Sequence, residues 1–303
     1  MKSNAVSAII AYVTALFFSV GNTTAAPADN DTARQFFADE TQSLMVGEQS
    51  VAVFPSPSAI PLKRGVAVLL YESGSMGLTF DVAAQISERL NDQGWDTLLV
   101  PAMFTPVTAT PALPSEDTLI HPRADSQTPV IGYSDSRNTF TLLLNAVFQH
   151  TADKDGFRMV IAQGMGAALL LDITNSENVS PPDTAIVLSP FWPERVHNQA
   201  VVDNIAQSAY PVLDVGMDDY NNWALSTRHR RSQKARTELK MLYRQQVMLA
   251  LGSSSIAGST SFGGRQIGTT VPATASPSTA SAVSPFATRL AGRIYGWTTH
   301  LGW

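Results

Sequence analysis

The stretch VIAQGMGAALLL, Val160 to Leu171, decides the fold. It opens as an apolar strand, passes through a turn that Gly164 and Gly166 permit, and continues as small and aliphatic residues suited to a helix lying close against a sheet. A strand, a tight elbow and a helix in that order hold one residue at the elbow's tip, where many α/β enzymes carry their nucleophile. In the register Ala162-Gln163-Gly164-Met165-Gly166 that residue is Gly164. Glycine has no side-chain atom to attack a carbonyl, and a shift of one position either way offers Gln163 or Met165, which are no better. The elbow therefore predicts an architecture and withholds a chemistry.

Working outward, strand-like and helix-like segments alternate. Gly65 to Tyr71 (GVAVLLY) is uniformly apolar, as a strand buried on both faces must be. Phe80 to Gln93 places Val82, Ile86 and Leu90 at helical spacing, with Gly94 as the C-cap glycine, and Trp95 to Pro101 is the next strand. After the gap at 102–137 follow a helix over Asn138 to His150, the strand Phe157 to Ala162 and a helix over Met165 to Ile173. The strand Thr184 to Ser189, a weaker helix Val196 to Ser208 and the strand Pro211 to Val215 come next. Val46 to Phe54 reads as an antiparallel edge strand. This order predicts an α/β fold: one domain with a mostly parallel, doubly wound sheet and helices on both faces.

The chain divides as follows. Lys2, an apolar run to Val20 and the small-residue stretch GNTTAAPA have the order of a secretory signal over 1–26, cut after Ala26 or Ala28, with a retained anchor as the alternative. An N-terminal segment, 27–43, precedes the domain at 44–251. Prolines at 106, 111, 114, 122 and 129 make 102–137 a long loop. Ser226 to Leu251 reads as one basic helix, whose apolar stripe is Ala235, Leu239 and Leu242. Residues 252–285 hold one arginine, no acid and much Ser, Thr and Gly, the composition of a disordered insertion. Residues 286–303 carry Leu290, Ile294, Tyr295 and Trp297, enough for a last helix that docks back. The mature protein is expected in the periplasm or outside the cell, with no transmembrane span after cleavage.

Composition narrows the function. The chain has 303 residues, a net charge of −5 and no cysteine. The acidic balance argues against a nucleic-acid partner. The missing thiols exclude disulfides, thiol catalysis and iron–sulfur clusters. No HxH or HExxH spacing occurs, so neither a metal site nor a cofactor is expected. The charge is segregated: Arg228 to Arg244 holds seven bases and one acid, which leaves 13 bases against 24 acids elsewhere. Arg228, Arg230, Arg231 and Lys234 are accordingly the expected contacts for an anionic surface or partner, set against a plain solvated face.

With Gly164 inert, catalysis would need a displaced nucleophile. Ser73 and Ser75 in ESGSMG follow the first central strand at the sheet's carboxyl edge, and Ser189 ends another strand. Asp218 or Asp219, after PVLDV, stands where a triad acid belongs. Of the five histidines only His229 and His300 lie beyond it in chain order, as a Ser-acid-His sequence requires. His229 sits among bases that favour its neutral form.

The segments RGVAVLLYESG, LNDQGWDTLLVPA, VIAQGMGAALL, YPVLDVGMDD and KARTELKMLYRQQVML, with a closing GW, resemble the α/β-hydrolase superfamily and, within it, the bacterial domain-of-unknown-function family DUF3530. The resemblance implies an exported α/β-hydrolase-like protein, in a family where glycine or another residue commonly takes the nucleophile's place. Two functions follow. The first is a non-catalytic protein that binds an unknown ligand or an envelope protein. The alternative is a serine hydrolase of esterase or amidase type with a displaced serine.

Overall fold

The computed structural model describes residues 41–73, 76–104, 106–107, 130–176, 179–218, 220–249 and 283–303. The expected signal peptide, most of the 102–137 loop and nearly all of the 252–285 insertion lie outside them, as do Ser75 and Asp219.

The strands are β1 (Gln42–Val46), β2 (Gln49–Ser56), β3 (Gly65–Tyr71), β4 (Trp95–Pro101), β5 (Pro106–Val107), β6 (Val130–Ile131), β7 (Phe157–Gln163), β8 (Thr184–Leu188), β9 (Val212–Met217) and β10 (Tyr243–Met248). The helices are α1 (Phe80–Asn91), α2 (Tyr133–His150), α3 (Gly164–Asn175), α4 (Arg195–Gln207), α5 (Asn222–Thr237) and α6 (Pro285–His300). Eight strands form one sheet in the order β1-β2-β4-β3-β7-β8-β9-β10. Within this sheet the β1–β2 and β2–β4 pairings are antiparallel and the others parallel, while β5 and β6 form a separate antiparallel pair.

Burial follows from this topology. Every residue of β3 is buried, because the sheet is covered on both sides. Val68 and Leu70 point into one core with α2, α3 and α4. Their neighbours Ala67, Leu69 and Tyr71 point into the other, with α1 and α6. The period of two thus assigns alternate residues to two separate cores. Thr79 caps helix α1, its Oγ1 accepting the Val82 amide at 3.4 Å.

Helix α6 packs against α1 and the sheet. Ser284 caps it, Pro285 starts it, and Trp297, 1% exposed, donates its Nε1–H to Thr184 Oγ1 at 3.0 Å. Trp303 stacks on Phe157 with ring centroids 4.1 Å apart, and its backbone oxygen accepts from Arg64 Nη1.

Four expectations are corrected. The single edge strand at Val46 to Phe54 is a hairpin, β1 and β2, turning at Gly47 with φ +60°. Helix α2 starts at Tyr133, inside the expected loop, and β5 pairs β6 across that loop. Ser284 and Pro285, assigned to the insertion, cap and start α6.

The largest correction concerns Ser226 to Leu251, which is a helix, a turn and a strand. Helix α5 ends at Thr237, Leu239 adopts φ +54°, and β10 pairs in parallel with β9. Of the predicted stripe only Ala235 is buried, while Leu239 is 81% and Leu242 45% exposed. Tyr243 and Gln245 both donate to Asp214 Oδ2, at 2.9 and 2.8 Å, so tertiary partners outweigh the local helical pattern.

Candidate functional site

The strand-to-helix turn is where the sequence places it. Strand β7 ends at Gln163, and α3 starts at Gly164, whose φ of +53° is the left-handed conformation an elbow tip requires. The ends of β3, β8 and β9 surround it with Glu72, Phe191 and Tyr220. A Cβ on Gly164 would stand 2.7 Å from Tyr220 Oη, 3.2 Å from Phe191 Cε1 and 3.3 Å from Glu72 Oε1. The space of a nucleophilic side chain is occupied by other residues.

Gln163, 2% exposed, organises this cluster. Its Oε1 accepts the Leu78 amide at 2.6 Å. Its Nε2 donates to Tyr220 Oη at 3.0 Å, Glu72 Oε2 at 3.2 Å and the Met76 carbonyl at 3.3 Å. Tyr220 Oη in turn donates to Glu72 Oε2 at 3.2 Å. The other oxygen, Glu72 Oε1, is buried and has no hydrogen-bond partner among the described residues.

Burial pushes the Glu72 carboxyl above its ordinary value. Gln163, Tyr220 and the Gly166 amide at the α3 N-terminus oppose the shift, the last without a hydrogen bond to Oε1. Burial, and then the Glu72 charge, also raise the Tyr220 phenol. It stays a neutral donor. Because the folded carboxyl holds its proton more tightly than the unfolded one, the stability gained is full below pH 4.5, the ordinary carboxyl value, and lost as pH rises through the raised value. Glu72→Gln is therefore expected to be neutral in acid and to raise the urea midpoint above neutrality. Parallel urea titrations across pH check this, and a midpoint gap that does not widen with pH would contradict it.

Among the described residues the displaced-nucleophile candidates do not come together. Ser189 is 1% exposed with φ +44°, and its Oγ accepts the Met217 amide at 2.7 Å, a bond that ties β8 to β9. Ser73 is exposed beside Glu72. Asp218 Oδ1 accepts from Arg228 Nη1, so a guanidinium takes the place expected for an imidazole. His229 is exposed on α5, His150 and His300 are exposed, and His197 stacks on Tyr133 at 3.6 Å. Met165 is half-buried and Gly166 buried within α3.

The basic residues of α5 are largely engaged within the protein. Arg230 Nη1 bonds Gln199 Oε1, and Lys234 pairs with Glu238 at 2.9 Å and Asp203 at 3.4 Å. Arg231, expected to face a partner, is fully buried: it forks onto Asp214 at 2.8 and 3.2 Å. Its neighbours on the helix, Thr227, Arg228, Lys234 and Ala235, gave no sign of this, because a guanidinium is buried only when a tertiary carboxylate waits for it. Sequence reading also missed Glu72 and Tyr220. Glu72 opens ESGSMG, in which the serines are the residues with nucleophilic side chains, and only the fold brings it to the β7 elbow.

Among the described residues no group of three or more His, Asp or Glu could hold a metal ion, and no helix is long and apolar enough to cross a membrane.

A mostly parallel sheet of this strand order, with a glycine elbow at the end of β7, defines an α/β-hydrolase-like protein. The chain belongs to the DUF3530 family, described as a protein of unknown function, which it matches over residues 23–263. No curated protein matches it. Among solved structures it is similar to the esterase domain of a Rhodothermus marinus protein, with 12% identity and a TM-score of 0.45, covering 71% of this chain and 90% of that one. Est1E from Butyrivibrio proteoclasticus is similar at 13% identity and a TM-score of 0.47, covering 69% and 88%. Dienelactone hydrolase from Anabaena variabilis is similar at 12% and 0.49, covering 86% and 98%.

Proposed function

We propose that this protein is exported and that its α/β-hydrolase-like core binds a ligand or an envelope partner without acyl-transfer chemistry. The observation that carries the reading is Gly164. The elbow retains the backbone conformation of a nucleophile site, while Tyr220 Oη stands 2.7 Å from the point where a side chain would begin. The Glu72–Tyr220–Gln163 cluster supports a second element of the proposal, that the elbow is kept as a structural junction at the sheet's carboxyl edge.

The test is a fluorophosphonate probe on the purified protein, which labels an activated serine. No labelling is expected, either of the parent chain or of Gly164→Ser. Labelling that Ser73→Ala, Ser75→Ala or Ser189→Ala removes would establish the serine-hydrolase alternative instead. Gly164→Ser should also lose about 1–3 kcal/mol, from its left-handed backbone and from overpacking against Tyr220. Combining it with Tyr220→Phe should recover part of that loss in urea titrations. For export, the N-terminus of protein recovered from the periplasm is expected at Pro27 or Asp29. An intact Met1 would count against cleavage.

A further inference from the structure

The turn from α5 to β10 closes the helix with a residue that suits neither its backbone nor its exposure. The Leu239 amide donates to the Arg236 carbonyl at 3.1 Å and the Lys240 amide to the Ala235 carbonyl at 2.9 Å, the paired bonds of a Schellman motif. That motif needs one left-handed residue, a place glycine or asparagine usually takes. Here Leu239 holds it, at φ +54°. Leu239 is also 81% exposed, so no burial offsets the strain within the folded chain. Met241 is 92% and Leu242 45% exposed. Three large aliphatic side chains within four residues thus stand in water at the amino end of β10.

We propose that this turn is a membrane-docking tip, in which Leu239, Met241 and Leu242 enter the interface of a bilayer whose anionic headgroups meet Arg236 and Arg244. The tip is at the amino edge of the sheet and the elbow is at the carboxyl end of β7. The proposal therefore stands whether or not the elbow is inert.

Charge selects the occupant. Arg228, Arg231 and Lys234 of α5 all have carboxylate partners, whereas the exposed Arg236 and Arg244, one on each side of the tip, are in no ion pair among the described residues. The one acid between Arg236 and Leu249 is Glu238, which Lys234 holds at 2.9 Å. Lys240 turns back into the protein, where its Nζ donates to the carbonyls of Ser208 and Tyr210 and fixes the turn against the start of β9. That adjoining stretch, Asn204 to Pro211, carries no charged residue. Aliphatic side chains between two unpaired guanidiniums suit a bilayer that contains acidic lipid, because burial of the former and attraction of the latter to phosphate add. A second copy docking tip to tip would instead set Arg236 and Arg244 against their own counterparts. The anionic contact expected of α5 falls to the turn that follows it.

The chain has no cysteine, so one introduced thiol carries a reporter to one place. In the full chain, Met241→Cys labelled with a polarity-sensitive fluorophore is expected to shift to the blue on phosphatidylcholine vesicles containing one quarter phosphatidylglycerol. Pure phosphatidylcholine should give no such shift. Val196→Cys, 70% exposed at the start of α4 beyond the opposite edge of the sheet, should report water with both. Each base near an anionic surface strengthens binding about fivefold, so Arg236→Gln with Arg244→Gln in the labelled chain should raise the lipid needed for half the shift at least tenfold. Leu239→Gly should raise it at least fivefold while melting no lower than its parent, since glycine accepts the left-handed position. That combination separates docking from folding. No shift on the anionic vesicles, or a shift that both variants leave unchanged, overturns the proposal. So does a blue shift without lipid that grows with protein concentration, which would assign the tip to a second copy.

Discussion

Arg231→Ala is expected to destabilise the fold by about 3–5 kcal/mol, because it leaves the Asp214 carboxylate buried without its counter-charge. Both side chains are fully buried, and beyond Asp214 Arg231 Nη1 donates to Thr227 Oγ1 at 2.7 Å and to the carbonyls of Ala224 and Pro190 at 3.1 and 3.5 Å. Asp214 on β9 also accepts from Tyr243 and Gln245 on β10. The pair therefore joins α5, β9, β10 and the turn after β8, the elements that carry Tyr220 and Phe191 to the elbow. Urea unfolding measures the loss. Asp214→Leu combined with Arg231→Met should cost less than Arg231→Ala alone, since no charge is left stranded, although Tyr243 and Gln245 then lack their acceptor. A loss under about 1 kcal/mol for Arg231→Ala would mean that water reaches Asp214 and that the pair is dispensable.

Trp297→Ala is the second large effect, about 3–5 kcal/mol, the range for emptying a buried tryptophan site. Trp297 is 1% exposed, in the core shared by α6, α1 and the sheet. Trp297→Phe keeps much of the apolar volume but loses the bond to Thr184 Oγ1, and should cost clearly less, with the hydrogen bond itself contributing about 1 kcal/mol. Thermal unfolding of the two variants side by side checks the order. If Trp297→Ala melted with the parent, α6 would be a detachable appendage.

These effects mark the boundary of what local pattern can report. Strands β3, β4, β7, β8 and β9 and helices α1, α3 and α4 were legible within a few residues, because continuous apolar runs and 3.6-residue spacing are properties of the chain alone. The elbow glycine was legible for the same reason: its neighbours announce a strand and a helix, and its own identity excludes a nucleophile. Strand β10 was not, since TELKMLYRQQVML has acceptable helical composition, and it becomes a strand because β9 offers it an unpaired edge and Asp214 offers partners to Tyr243 and Gln245.

The candidate site divides along the same line. Residue order settled that Gly164 sits at a turn and cannot attack a carbonyl, since both follow from periodicity and from the atoms a glycine lacks. Whether anything replaces it depended on Glu72, 92 positions upstream, and Tyr220, 56 downstream, converging on one point. Contacts between residues so far apart leave no periodic trace. They arise when strands β3, β7, β8 and β9 are set side by side and their carboxyl ends line one edge of the sheet, and the burial that follows raises the Glu72 carboxyl's hold on its proton. Arg231 was misplaced by the same blindness: a charge on a helix reads as solvent-facing until a folded sheet puts a buried carboxylate within its reach.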